Sequence, residues 1–361
     1  MEKVYSIDLM INDSHSADAI YQDCLYKCFT NNFNLITSSK YKVDDKHILN
    51  ILEPITNRNP LKKLLILFKN AKTIFNITRI NDDFILIYQS FFSSEIIITI
   101  FIFLLNKITF SNTRITIGLI MRFEFSKFQK KIFPFFVKIL PKTYKLVLFT
   151  DTTELQLIHQ KFLRKKVTLL PIPHTFPCDC LNNNDKILKI GFPGFPRKEK
   201  GIELIEKIIN NLQTKNIVFN LQDWQIYKST FSNIENVNLD FKTITRNDYT
   251  SYVCSCDLII LPYTNSNYLN RSSGIFAESL FAKKIVLVSN NTWMSKQLQM
   301  MGLNYFVVSD FNNTNEFQSK IMYIANNLIQ IKEEFAFKSK SFFEFHNQSV
   351  FNSIFLENLK N

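Results

Sequence analysis

The sequence predicts an α/β protein of two doubly wound, Rossmann-like parallel-sheet domains that face one another across a cleft. Three observations carry this. Short apolar runs alternate with longer amphipathic ones along nearly the whole chain, the pattern of strand–helix repeats and parallel pairing. The alternation breaks once, where five of the ten prolines fall between positions 171 and 196, so the chain has one hinge. Its 361 residues are enough for two domains of ordinary size.

Strand candidates in the first half are Val4–Met10, Leu35–Thr37, Phe84–Tyr88, Ile115–Ile120, Leu146–Phe149 and Val167–Leu170. Thr152–Phe162 reads as a helix, with Thr152 as cap and Glu154 in its first turn. The longest apolar run, Ile96 to Leu105, has ten residues, half of the ~20 that span a bilayer. It is expected to be a buried helix. Residues 1–172 form the expected N-terminal domain, and 173–186 the hinge. Regular alternation restarts at Ile187, giving strands near 187–192, 217–221, 237–241, 258–262, 285–289 and 305–308. Helices are expected near 199–213, 246–255, 273–283, 292–301 and 314–330. Residues 187–335 thus form a second domain, and 336–361 a helical tail packing back toward the first.

The net charge of +12 is uneven, with 24 Lys and Arg against 14 Asp and Glu in residues 1–172. A basic half points to an anionic neighbour. The six cysteines, Cys24/Cys28, Cys178/Cys180 and Cys254/Cys256, show no C-x2-C spacing, so no metal site is expected and reduced thiols are. The N-terminus lacks the basic and apolar regions of a signal peptide, which points to the cytoplasm.

Two segments carry chemistry. The first, Gly191-Phe-Pro-Gly194-Phe-Pro-Arg197-Lys198-Glu-Lys200-Gly201, lies between a strand and a helix. Its glycines permit close backbone approach, and Arg197 and Lys200 supply charged donors for a diphosphate. The second runs from Pro262 and Tyr263 through Asn270, Arg271, Ser272, Ser273 and Gly274 to Glu278. Ser272 and Ser273 can cap a helix whose N–H groups, with that of Gly274, face a phosphate. Glu278, over a turn further on, suits the vicinal hydroxyls of a ribose. A solvated basic turn and an ordinary capped helix are the plain alternatives.

Taken together, the Arg197–Gly201 element, the strand Cys256-Asp257-Leu-Ile-Ile-Leu-Pro262, the Ser273–Glu278 element and Ile285–Ser289 resemble the donor domain of GT-B glycosyltransferases, group 1 or family 4 in particular. The resemblance covers roughly residues 187–310. It implies a GT-B fold and transfer of a sugar from a nucleotide-diphosphate sugar, with no metal and no other cofactor. The basic pair matching Arg197 and Lys200 would bind the donor diphosphate, aided by Ser272, Ser273 and Gly274. Glu278 would bind the ribose, and Tyr263, Asn270 and Arg271 would lie near the donor sugar and nucleotide. One departure stands out. Retaining members carry a second carboxylate eight positions before the one matching Glu278, where this chain has Asn270. Asparagine can hydrogen-bond hydroxyls but cannot stabilise a developing positive charge, so stereochemistry stays open.

Candidates in the first half are His15, on the loop after the first strand, with Arg122 and Asp151 at later strand ends. His15 could hold the acceptor or assist proton transfer, and so each is a tentative catalytic residue. Residues 122–145 carry seven cations against Glu124, interleaved with seven aromatic rings. That composition suits peripheral contact with an anionic membrane at its inner face, or an ordinary helix with one buried face. No nucleic-acid motif is present. The expected acceptor is a polysaccharide or lipid-linked glycan. A nucleotide-sugar epimerase of the same architecture and an inactive sugar-nucleotide-binding protein are the competing readings.

Overall fold

The computed structural model describes residues 3–8, 17–29, 32–38, 48–53, 59–78, 83–89, 93–108, 114–140, 144–173, 187–194, 197–212, 214–223, 228–231, 234–242, 245–263 and 268–360. The chain divides into two compact units, one comprising Met1–Pro173 with Gln348–Asn361 and the other His174–Asn347. Residues 174–186, most of the expected hinge, lie outside the described residues, as does His15.

Unit 1 contains strands β1 (Lys3–Asp8), β2 (Phe33–Ser38), β3 (Ile48–Leu52), β4 (Asp83–Tyr88), β5 (Arg114–Ile120), β6 (Tyr144–Thr150) and β7 (Thr168–Leu169). They form one parallel sheet in the order β3-β2-β1-β4-β5-β6-β7. Between them run helices α1 (Ala17–Phe29), α2 (Pro60–Thr78), α3 (Ser93–Ile108), α4 (Lys127–Ile139) and α5 (Thr153–Leu163). Side chains alternate across each strand, so the sheet has two cores. Phe84, Leu86 and Tyr88 of β4 join Leu67 and Ile74 of α2, Ile98 of α3 and Phe133 of α4. Ile85 and Ile87 point the other way, to Tyr21 and Leu25 of α1.

That second face is completed from the far end of the chain. Helix α14 (Gln348–Lys360) buries Phe351, Phe355 and Leu359 there. Phe355 meets Phe149 and Phe29, and Phe351 meets Tyr21 edge-on. The Lys145 ammonium donates to the Leu359 carbonyl at 2.6 Å, the favourable arrangement of a cation at a helix C-terminus.

Unit 2 contains β8 (Leu188–Phe192), α6 (Ile202–Asn211), β9 (Ile217–Gln222), α7 (Lys228–Phe231), β10 (Val237–Phe241), α8 (Arg246–Ser255), β11 (Leu258–Leu261), α9 (Gly274–Phe281), β12 (Ile285–Ser289), α10 (Trp293–Met300) and β13 (Val307–Val308). Helices α11 (Thr314–Asn326), α12 (Leu328–Lys338) and α13 (Lys340–Phe345) follow. The sheet is parallel, in the order β10-β9-β8-β11-β12-β13. Asp257 ties β8, β11 and α12 together, accepting from the Lys189 N–H at 3.0 Å and the Lys332 ammonium at 2.6 Å. Asp257 is therefore structural, although it lies in a segment that carries the family resemblance.

Two parallel sheets of seven and six strands match the expected fold class. The expectation of six reduced thiols is corrected at Cys254. Cys24, Cys28 and Cys256 are thiols, but Cys254 is disulfide-bonded. Local spacing tests only for neighbouring ligand pairs, so it could not show this bond.

Candidate functional site

In unit 2 the strand order reverses between β8 and β11, and open α/β sheets bind ligands outside the carboxyl ends of strands at such a switch point. Both chemistry-bearing segments leave the sheet there. Phe192, Gly194, Arg197 and Lys200 from the first meet Leu261, Pro262 and Tyr263 from the second around one small depression.

Two glycines make the approach possible. Gly201 adopts φ 77°, and a Cβ on it would lie 2.2 Å from the Pro262 carbonyl oxygen. The start of α6 and the end of β11 therefore touch through backbone, as only glycine permits. Gly194, at φ 86°, would place a Cβ 2.6 Å from the Lys200 Nζ. The ammonium occupies the space where a side chain would be. Gln222, at the end of β9, accepts from the Gly194 N–H at 2.8 Å and fixes the loop.

Lys200 is held short of its usual basicity. Burial, and then the charges of Arg197 and Arg271 over the opposing Glu199, bring its pKa down to about 8. The partner of Arg197 is Glu199 at 3.4 Å, with the guanidinium more than half exposed, a contact of little energetic weight. Three cations thus gather at the switch point, and a bound anion would relieve their mutual repulsion. A diphosphate bound there would raise the Lys200 pKa again, so that binding would take up a proton above pH 8, with affinity fully present below that value and falling as pH rises through it. Calorimetric titration with pyrophosphate or a nucleoside diphosphate is expected to show about tenfold weaker binding at pH 9 than at pH 7. Lys200→Ala removes that slope, and an unchanged slope would show that Lys200 is not in contact with the anion.

The second segment supplies the helix end. The Ser273 hydroxyl accepts from the Phe276 N–H at 3.2 Å, the N-cap of α9. The N–H groups of Gly274 and Ile275, which also precede the first intrahelical acceptors, lie at the positive end of the helix dipole. Ser272 is buried beside them. Arg271 lies over the Tyr268 ring at 5.5 Å, and that ring packs on Tyr263 at 4.4 Å between centroids. The Tyr263 hydroxyl is buried with no hydrogen-bond partner. Burial, more than its neighbours, raises its pKa. Asn270 is partly exposed, immediately before Arg271.

Glu278 has a partner that the sequence did not disclose. Arg246, at the first position of α8, donates through NH2 to its Oε1 at 2.7 Å. The carboxylate side chain is 4% exposed and the guanidinium 28%. Arg246 also lies 5.0 Å above the Tyr249 ring. Burial, followed by the Glu278 charge and a hydrogen bond to it, pushes the Tyr249 phenol well up. A cation at a helix N-terminus opposes the dipole. An arginine directly after the Thr245 cap, one of eight in the chain, was the available signal.

In unit 1, Arg122 and Asp151 come together. The Arg122 Nε donates to Asp151 Oδ2 at 3.1 Å, both side chains are nearly buried, and the guanidinium lies 5.3 Å over Tyr21. Gln22 donates to Asp8, at the end of β1, at 3.3 Å. In residues 122–145, Phe125, Phe133 and Phe136 are core residues, while Phe128 and Phe135 are exposed. His159 packs under Phe125, with its ring nitrogen on the Phe123 carbonyl, and burial lowers its pKa to about 4. Among the described residues no group of three or more His, Cys, Asp or Glu side chains is placed to hold a metal ion.

No protein-family model and no curated protein matches the sequence. Solved structures do match over nearly the whole chain. A glycosyltransferase from Rickettsia africae ESF-5 superposes with a TM-score of 0.72 at 14% identity, covering 99% of this chain and 98% of that one. The lipopolysaccharide outer core galactosyltransferase WaaB gives 0.65 at 9% identity, covering 99% of each. A proposed UDP-N-acetylglucosamine 2-epimerase from Listeria monocytogenes gives 0.61 at 12% identity, covering 99% of this chain and 95% of that one. The chain has the GT-B fold.

Proposed function

We propose that the protein is a glycosyltransferase that moves a sugar from a nucleotide-diphosphate sugar to a hydroxyl of a polysaccharide or lipid-linked glycan. One observation carries the reading. Arg197, Lys200 and Arg271 gather with the N-terminus of α9 at the β8/β11 switch point, which suits a diphosphate. The fold, shared with sugar-nucleotide enzymes, supports it.

In the reaction the bond from the anomeric carbon to the diphosphate oxygen breaks, and its electron pair leaves with the diphosphate. The acceptor hydroxyl forms the new bond and gives up its proton. Lys200, Arg197 and the α9 N–H groups stabilise charge on the leaving group, so no metal is needed for that step. Glu278, steadied by Arg246, accepts from the ribose hydroxyls. Asn270 and Arg271 contact the donor sugar, with Asn270 as a neutral hydrogen-bonding group. Unit 1 carries the acceptor. Its buried Arg122–Asp151 pair holds two neighbouring strand ends in register, and His15 is the candidate to receive the acceptor proton. Exposed Phe128, Phe135 and the lysines of 122–145 favour work at the inner face of an anionic membrane.

Thermal stabilisation by UDP or GDP tests the assignment. We expect a clear upward shift for the wild type and little shift for Arg197→Ala and Glu278→Ala. No shift in the wild type, or equal shifts in all three, would refute it. Incubation of a donor without acceptor separates transfer from epimerisation, which alone yields a new sugar nucleotide.

A further inference from the structure

Helix α2 breaks two rules that stabilise a surface helix. Leu61, Leu64, Leu65 and Phe68 recur at the spacing of one helical face. That face is open to solvent, with exposures of 75%, 45%, 62% and 41%. The first buried residue of the helix is Leu67. The first turn also has no acidic side chain and instead carries Lys62 and Lys63, cations at the positive end of the dipole. The helix is nonetheless properly capped, since the Asn59 side chain accepts from the N–H groups of Leu61 and Lys62. Where local rules are broken on a well-formed element, the residues serve something other than stability.

The patch continues beyond the helix. Phe68 meets Phe101 of α3 edge-on at 5.3 Å, and Leu104, three residues after Phe101, is also exposed. Helix α4, which packs beside α3, presents Phe128, Lys131, Phe135 and Lys138 to solvent at helical spacing. Along α2, Lys62, Lys63, Lys69 and Lys72 are exposed and the helix has no Asp or Glu, with Lys69 meeting Glu53, just after β3, at 3.2 Å.

We propose that this face of unit 1 docks on an anionic lipid bilayer. The leucines of α2 enter the headgroup–acyl boundary and the lysines sit over lipid phosphates. Apolar side chains flanked by lysine suit that boundary, where each half needs the other's medium. A second copy of the chain does not fit, because it would set lysines against lysines. Spanning is excluded for α2, since no helix among the described residues is long and apolar enough to cross a membrane. The face is thus a peripheral anchor, and α2 rather than the stretch 122–145 is its inserting part. This inference does not depend on the transfer chemistry.

Flotation of the full chain with vesicles tests it, using phosphatidylglycerol mixed with phosphatidylcholine, and phosphatidylcholine alone. The chain is expected to float with the mixed vesicles and to bind the neutral ones about tenfold more weakly or less. Leu61→Ser with Leu65→Ser is expected to lower partitioning about tenfold at low and high salt. Lys62→Gln with Lys63→Gln should act mainly at low salt, where charges are least screened. All the substituted side chains are exposed, and unchanged melting temperatures confirm that the variants fold. Three outcomes would overturn the proposal. The leucine variant floats like the wild type; or Phe128→Ser with Phe135→Ser abolishes flotation while the leucine variant keeps it; or the wild type fails to float, whether it sediments as a monomer or as a dimer that the leucine substitutions dissociate.

Discussion

On the proposed transfer chemistry, Lys200→Ala is expected to lower the rate by about 10²–10³-fold, the usual effect of deleting one donor that stabilises developing charge. The size of the effect follows from where the ammonium sits. It is half-buried, stands where a Cβ on Gly194 would be, and keeps a pKa of about 8 in the company of two guanidinium groups. Forcing a cation into that position is unfavourable for the resting protein, and the unfavourable energy is relieved when negative charge grows beside it. The relief is greatest as the diphosphate departs, so the loss should fall mainly on kcat rather than on KM. Lys200→Arg should not restore full activity. The space over Gly194 accommodates an ammonium, and a planar guanidinium is not an equivalent substitute there. Steady-state rates with a donor found by the stabilisation screen provide the measurement. A loss confined to KM would assign Lys200 to ground-state binding alone.

Arg246→Ala is expected to destabilise the protein by about 2–3 kcal/mol. Removing one partner from a buried ion pair typically costs about 3–5 kcal/mol, because the other charge is left without compensation. The lower figure allows for the guanidinium, at 28% exposure, being partly hydrated. Glu278 at 4% has no such relief. Glu278→Gln removes the buried charge and should cost less. The double variant should recover part of the loss, so that a double-mutant cycle gives a coupling above about 1 kcal/mol. Denaturant unfolding with each variant provides the energies. If Arg246→Ala melts like the wild type, the 2.7 Å contact contributes nothing and Glu278 is held by other means.

The fold was legible from the sequence wherever strands were continuous apolar runs and helices carried caps. Strands 217–222, 237–241 and 285–289 and helix 246–255 emerge close to their predicted limits. Ile48–Leu52 was overlooked, because an edge strand of five residues beside polar chain lacks the length that separates strand from loop. The cations proposed to hold the diphosphate could be read because they are local: Arg197 and Lys200 stand three apart, between a strand and a helix. The Arg246–Glu278 pair joins positions 32 apart, and nothing in one sequence marks such a partnership. The aromatic run near 122–145 was legible only as a composition. Phe133 and Phe136 face inward and Phe135 outward, a split that composition hides and helical phase reveals.

The placement of helix α14 gives the chain an unusual order of assembly. Domains generally fold as they leave the ribosome, the N-terminal one first. Here Phe351, Phe355 and Leu359 complete one face of the first sheet, beside α1, yet they are translated after all of unit 2. Until they arrive, Tyr21, Phe149 and Leu170 have no complete apolar cover. The nascent first unit must therefore wait, with one side open, while the second is made. The unit that starts first finishes last, and a chaperone has the whole of that interval in which to act.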